Sequence, residues 1–366
     1  MFKNPRFLKE PDFKHGQPKR TAVLLCNLGT PQAPEPKALR TYLAEFLGDP
    51  RVVEIPRWIW LMILHGIILR LRPAASALKY ASIWTPEGSP LKVWTERQAQ
   101  LLQNAFNLSN HQVLVRSAMR YGQNNIPTVL SELKEAGADR ILILPAYPQY
   151  SATTTASVFD SVSSWSQKTR LIPEFRFINR YHDHSEYISA LAHNIKAHWA
   201  SHGRAEVLVM SFHGVPQRTL ELGDPYHCEC HKTARLLAES LGLAKHEYKV
   251  TFQSRFGKAK WLEPYTEPSV RTMAQNGVKS IQVVCPGFTS DCLETLEEIA
   301  MEVREAFLHE GGERFEYIAC LNDNEVWIQG LQKISLEHLQ GWPLGHPNED
   351  QLALSKELAT SLGASA

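Results

Sequence analysis

The sequence is short of cysteine. Six in 366 residues are too few for a disulfide framework and suit a reducing compartment. It also lacks an excess of charge of one sign: 39 Lys and Arg stand against 38 Asp and Glu, a formal net charge of +1. No broad field is therefore available for capturing nucleic acid, and no nucleic-acid partner is expected. No apolar run approaches the roughly 20 residues of a membrane-spanning helix. The longest candidate, Trp58 to Leu69, has twelve residues, all apolar except His65 and Gly66, which argues against a spanning protein. The first 20 residues are mildly basic, interrupted by proline, and carry no apolar stretch of the signal-peptide kind. Neither G-x-G-x-x-G nor G-x-x-x-x-G-K occurs, so nothing points to a dinucleotide or a nucleoside triphosphate.

What is present is a composition for a large folded body, 43% hydrophobic and 21% charged, long enough for one big α/β unit or two domains. Nine Trp stand out, four of them between Trp58 and Trp94. The stretch 56–72 has its Trp at one end and Arg70 and Arg72 at the other. It reads either as a buried helix or as an apolar lip resting at a wet–apolar boundary.

Short β-branched runs recur, each closing on turn residues and followed by a helical pattern, as in parallel βα units. Three pairs of segments repeat in the same order. TAVLLCNLGTP from Thr21 resembles EVLVMSFHGVP from Glu206, Met119-Arg120-Tyr121-Gly122 resembles Ser254-Arg255-Phe256-Gly257, and EAGADRILIL from Glu135 resembles QNGVKSIQVV from Gln275. The expected fold is α/β: two similar domains, each a parallel four-stranded sheet flanked by helices, with the active cleft between them. The expected divisions are a basic arm (1–20), domain 1 with the lip (21–180), domain 2 (181–325), and a C-terminal helix and tail (326–366).

His213 falls at a strand end, where an imidazole exchanges protons near neutral pH or simply serves as a hydrogen-bonded structural group. Asp291, Glu294 and Glu298 are spaced to share one helical face, with Asp291 or Ser290 able to cap that helix. They read either as a proton or cation path or as ordinary acidic residues of a first turn. Aromatic and basic residues gather at other loop positions, including Tyr80, Arg120, Tyr121, Tyr150, Ser151 and Trp261. A cleft so lined suits a large flat apolar ligand with carboxylates at its rim, although aromatic stripes are also what cores are made of. Cys228 and Cys230, between His227 and His231, are closer in sequence than structural zinc pairs usually are.

Taken together, L-x-N-L-G-T-P (25–31), G-S-P-L-x-V-W-T (88–95), M-R-Y-G (119–122), Y-P-Q-Y-S-x-x-T-T (147–155), S-F-H-G-V-P (211–216), F-Q-S-R-F-G-x-x-x-W-L (252–262) and C-P-G-F-x-x-D-C-L-E-T-L-E-E (285–298) resemble the ferrochelatase family, in that family's order. The resemblance implies a chelatase-like fold and insertion of ferrous iron into protoporphyrin IX, the last step of haem synthesis. It implies His213 as acceptor of pyrrole protons or as a metal-handling residue, and Glu294 as its partner carboxylate at the metal. Asp291 and Glu298 would form the proton or metal path. Asn27, Leu28, Tyr80, Arg120, Tyr121, Tyr150, Ser151 and Trp261 would contact the porphyrin.

Fe2+ would be a substrate and no tightly bound cofactor is expected. The cysteine-rich extension that holds a [2Fe–2S] cluster in some members is missing, and the alternative, a cluster built on Cys228 and Cys230, lacks a full ligand set. Coproporphyrin III is the rival substrate. The expected setting is the cytoplasm, with peripheral association at the inner membrane surface, contact with the oxidase of the preceding step, and a monomer or weak dimer. A cobalt or nickel chelatase, a metal carrier and a non-catalytic haem chaperone remain as alternatives.

Overall fold

The computed structural model describes residues 7–12, 14–257 and 259–364; the first six residues of the expected basic arm and the last two of the tail lie outside that set. Two parallel sheets are built from β1 (Arg20–Thr30), β2 (Val113–Gly122), β3 (Ala138–Pro145) and β4 (Glu174–Phe177), and from β5 (Val207–His213), β6 (Tyr248–Gln253), β7 (Ser280–Val284) and β8 (Arg314–Ile318). Their orders are β2-β1-β3-β4 and β6-β5-β7-β8. The two lobes share one topology, and the repeated segments occupy equivalent places: β1 and β5, the ends of β2 and β6, and the entries to β3 and β7. The strands are parallel, and the side on which the next strand is added switches between β1 and β3, and between β5 and β7. In such sheets ligands bind beyond the carboxyl ends at that point, which here means Asn27–Thr30 and His213–Gly214.

Helices cover both faces of each sheet, so the central strands β1, β3, β5 and β7 are largely buried and read as nearly continuous apolar runs. The lobes are not independently cored. Val23, Leu25 and Leu142 of the first sheet belong to one cluster with Leu208, Met210 and Phe212 of the second. Helices Ser185–His202 and Glu325–His338 fill the space between. Trp327 of the latter is fully buried and lies against the rings of Tyr181 and Tyr187 at 5.9 and 5.6 Å, so this helix is part of the core rather than an appendage.

The lip stretch lies in one helical run, Arg57–Ile83, with a π-helical turn at Leu64–Ile68. By length and composition this run is long and apolar enough to cross a membrane. The folded helix thus extends well beyond the twelve apolar residues of Trp58 to Leu69, because the apolar pattern continues past Arg70 and Arg72. One face is already occupied: Leu64, Leu69, Ala77 and Tyr80 pack with Leu39, Tyr42 and Leu43 of helix Pro36–Gly48 and with Tyr121. The other face is bare and carries Trp58, Met62, Ile67, Leu71 and Leu78. The two lip tryptophans, expected to act together, part company. Trp58 is 68% exposed, whereas Trp60 is 7% exposed and donates its indole N–H to the Leu47 carbonyl at 2.6 Å.

Candidate active site

In the second lobe the end of β5 places His213 half-buried between the rings of Trp261 and Phe288, each centred 6.4 Å away. Gly214 follows because a Cβ there would meet the Gln253 carbonyl oxygen at 2.7 Å and the Trp261 ring at 3.1 Å. Nδ1 of His213 lies 2.6 Å from the Gly214 carbonyl oxygen. A carbonyl only accepts, so Nδ1 carries the proton in the neutral ring, and Nε2 keeps its lone pair.

Glu294 opens a π-helical segment, Glu294–Val303. No side chain caps it. Asp291 and Ser290 do not serve as the expected cap, since Asp291 is turned inward to accept from Tyr317 at 2.5 Å, Asn322 at 2.7 Å and the Cys320 amide at 3.2 Å. Asp291 is thus a buried group engaged by several donors, the Thr295 hydroxyl at 3.2 Å among them, and sequence spacing grouped it with Glu294 and Glu298. Those two belong with the end of β6. Gln253 donates to the Glu294 carbonyl oxygen at 2.7 Å and accepts from Ser211 at 2.8 Å, tying the strand of His213 to the first residue of the π-helix. Ser254 takes a φ of 64°, the left-handed region that few non-glycine residues adopt. Both its amide (2.6 Å) and its hydroxyl (2.5 Å) donate to the Glu298 carboxylate. Burial nevertheless pushes the Glu298 carboxyl above the usual range, against the pull of Ser254 and a nearby His213 charge, and Glu294 pushes it further.

The first lobe supplies the facing wall. Tyr80 and Tyr42 lie close enough to Glu294 for its charge to add to the burial that raises both phenols. Leu28 and Leu293 pack on the same cluster. Asn27 is spent internally, donating to Thr95 at 2.9 Å and accepting from the Leu28 amide at 2.8 Å. Arg120 and Tyr121 are likewise engaged: the guanidinium donates to Asp49 at 2.6 Å and to the Ser157 hydroxyl at 2.7 Å, and the phenol donates to Asp49 at 2.8 Å. Burial works against the Asp49 carboxylate, but Ser157, the Arg51 amide, Tyr121 and the Arg120 charge outweigh it and hold its pKa below the usual range. Tyr150 and Ser151 lie at the loop after β3, bound there by Glu229 and Asp224: the Tyr150 amide donates to Glu229 at 2.7 Å and the Ser151 hydroxyl to Asp224 at 3.0 Å.

The lip helix and the loop before it reach across to the second lobe. Lys79 pairs with Glu297 at 2.9 Å and Glu302 at 2.8 Å, Arg72 stands 4.3 Å over the Phe256 ring, and Arg218 pairs with Glu54 at 2.7 Å. Asp49, Ser157 and Lys79 were not singled out from sequence. Nothing local marks the first two, whereas Lys79 lies one position before Tyr80 and could have been read as a cation facing an acidic helix. Among the described residues no group of three His, Cys, Asp or Glu is gathered for a metal. The helix Tyr226–Leu241 turns Cys228 outward and Cys230 into the core, so these thiols are not brought to one centre.

A half-buried histidine at a strand end, two carboxylates on a π-helix and an aromatic wall from the other lobe bring titratable groups and apolar rings together beyond two α/β sheet ends. A family model described as ferrochelatase matches residues 20–339. Curated proteins named ferrochelatase from Polaromonas sp. (strain JS666 / ATCC BAA-500) and Methylibium petroleiphilum are 65% identical over 363 residues and 63% over 358, each covering 98% of this chain and 99% of the relative. A third, from Janthinobacterium sp. (strain Marseille), is 58% identical over 364 residues, covering 98% and 99%. The chain belongs to the ferrochelatase family. It is a ferrochelatase-type lyase of haem biosynthesis, inserting Fe2+ into protoporphyrin IX to form haem.

Proposed function

We propose that His213 is the base that removes the pyrrole protons and that Glu294 and Glu298 pass them on, with Glu294 also holding the incoming Fe2+. The observation that carries this is the Gln253–Ser254 unit, which joins the strand of His213 to the backbone of Glu294 and to the Glu298 carboxylate. Two N–H protons must leave the macrocycle as the cation enters. Nε2 of His213 is the nitrogen free to take one, since Nδ1 is committed to Gly214. A carboxyl raised by burial, as at Glu298, is suited to take a proton from an imidazolium beside it and release it outward. Glu294 is the carboxylate whose charge reaches Tyr80 and Tyr42, and it lowers the cost of a divalent cation near the ring.

Leu28, Tyr80, Tyr150, Ser151 and Trp261 line the macrocycle in this reading. Arg120 and Tyr121 act behind that wall through Asp49. Asp291 holds the start of the π-helix in place rather than carrying protons. The bare face of the lip favours protoporphyrin IX, the more apolar substrate, and peripheral contact with a bilayer surface.

The test is an anaerobic assay with Fe2+ and either protoporphyrin IX or coproporphyrin III, read by loss of free-base fluorescence. Faster turnover of coproporphyrin III would overturn the substrate assignment. E294Q should slow insertion about tenfold or more while changing porphyrin affinity little, and equal losses in both would remove Glu294 from the chemistry.

A further inference from the structure

His227 and His231 are left unused by this mechanism. They stand four apart on the helix Tyr226–Leu241, hence on one face. Their ring centroids are 4.5 Å apart and the rings are tilted by 57°. Two imidazoles sharing one ion at metal–nitrogen distances of about 2.1 Å have centroids roughly 5 Å apart. Among the described residues, no hydrogen bond occupies a ring nitrogen of either.

The chain contains an internal control for this spacing. His198 and His202, also four apart, have centroids 4.3 Å apart but lie nearly parallel at 13°. Their nitrogens are taken: His198 Nε2 lies 3.0 Å from Glu316, and His202 Nδ1 lies 2.9 Å from the Ser201 hydroxyl. One pair is stacked and satisfied; the other is tilted and open.

We propose that His227 and His231 form a two-histidine site for a divalent first-row cation at the edge of the second lobe. Imidazole donors select iron, cobalt, nickel or zinc over magnesium and calcium. With two protein ligands the other positions fall to water, which makes the site exchangeable rather than structural. Its location gives it a use. The His227 ring lies along Phe252 at 5.6 Å and 20°. Phe252 is paired in register with Phe212, directly before Gln253 and His213. A cation held there waits one strand away from the edge where the reaction takes place. The proposal takes iron insertion as its setting, but the cation site itself is measured without porphyrin.

The experiment is calorimetric titration of the full chain with Zn2+ near neutral pH, porphyrin absent. The H227A/H231A variant should lose one Zn2+ equivalent or bind it at least about tenfold more weakly. H198A/H202A should bind as the unchanged chain does, and H213A should retain the site. H231A alone, at an exposed position, should reproduce most of the loss even if the double variant folds poorly. Undiminished Zn2+ binding in both H231A and the double variant would overturn the proposal. Turnover of H227A/H231A at saturating Fe2+ should match that of the unaltered chain. Absence of turnover in the unaltered chain would count against the iron-inserting reading and leave the Zn2+ result to decide this one.

Discussion

Leu28 and His213 occupy the same place in the two lobes, each at the end of the central-left strand and each followed by Gly-x-Pro. Behind Leu28 the neighbouring strand end offers Arg120 and Tyr121 to a buried carboxylate, Asp49. Behind His213 the neighbouring strand end offers Gln253 and Ser254 to Glu298. Both carboxylates are hydrogen-bonded from several sides. One has a guanidinium and is held ionised; the other has only uncharged donors and is pushed toward its neutral form. The duplicated scaffold thus fixes where strand ends point, while burial outweighs the donors at Glu298 and the donors outweigh burial at Asp49.

The largest expected effect comes from exchanging the two central positions for alanine. H213A should lose about 10^2 to 10^4 of the insertion rate with porphyrin affinity nearly kept. L28A should weaken porphyrin binding and leave the rate at saturation close to normal. Comparable rate losses in both variants would erase the functional distinction between the lobes. D49A comes next. It leaves a guanidinium and two hydroxyls without their acceptor in a buried place, and should cost about 3–5 kcal/mol in urea unfolding. A loss no larger than that of a surface change would show the first wall to be looser than its hydrogen bonds suggest.

The third test addresses the part of the first lobe with no counterpart in the second, the lip between β1 and β2. W58S with L78S removes two exposed apolar side chains and should reduce liposome partitioning roughly tenfold with little change in stability. W60S should instead destabilise the fold, because its indole is buried and bonded to Leu47. Unchanged partitioning of the first variant would assign the bare face to something other than lipid.

The repeat was legible because its signal is steric. A Cβ at Gly29 would meet the Tyr121 carbonyl oxygen at 2.0 Å, and one at Gly214 would meet the Gln253 carbonyl oxygen at 2.7 Å, so glycine recurs at both strand ends and marks them. His213 was legible because strand ends are where such sheets bind ligands. Asp49 was not, since its partners are brought to it only by the fold, Arg120 from 71 positions away. A spacing of four does not distinguish an α-helical from a π-helical turn, nor does it reveal that Asp291 is engaged by Tyr317 and Asn322. The opposite fates of Trp58 and Trp60 were there to be read: residues two apart on a helix are about 200° apart around its axis.

The smallest effect is also the one that most directly separates the two carboxylates. A pKa lowered by folding contributes stability that is full above the unfolded value and fades as pH falls through the folded one. For Asp49 that window lies below the ordinary value of 3.8, so the penalty of D49N should be constant near neutral pH and shrink in acid. A raised pKa works the other way. For Glu298 the contribution is full below the ordinary value of 4.5 and is lost as pH rises through the higher folded value. E298Q, which cannot ionise, should therefore gain on the unaltered chain as pH increases from 4.5. Thermal unfolding of both variants from below pH 3.8 to neutral pH should give difference curves of opposite slope, that of D49N changing below 3.8 and that of E298Q above 4.5. Parallel curves would mean that Glu298 is ionised as readily as Asp49, and the proton path would then need a different acceptor.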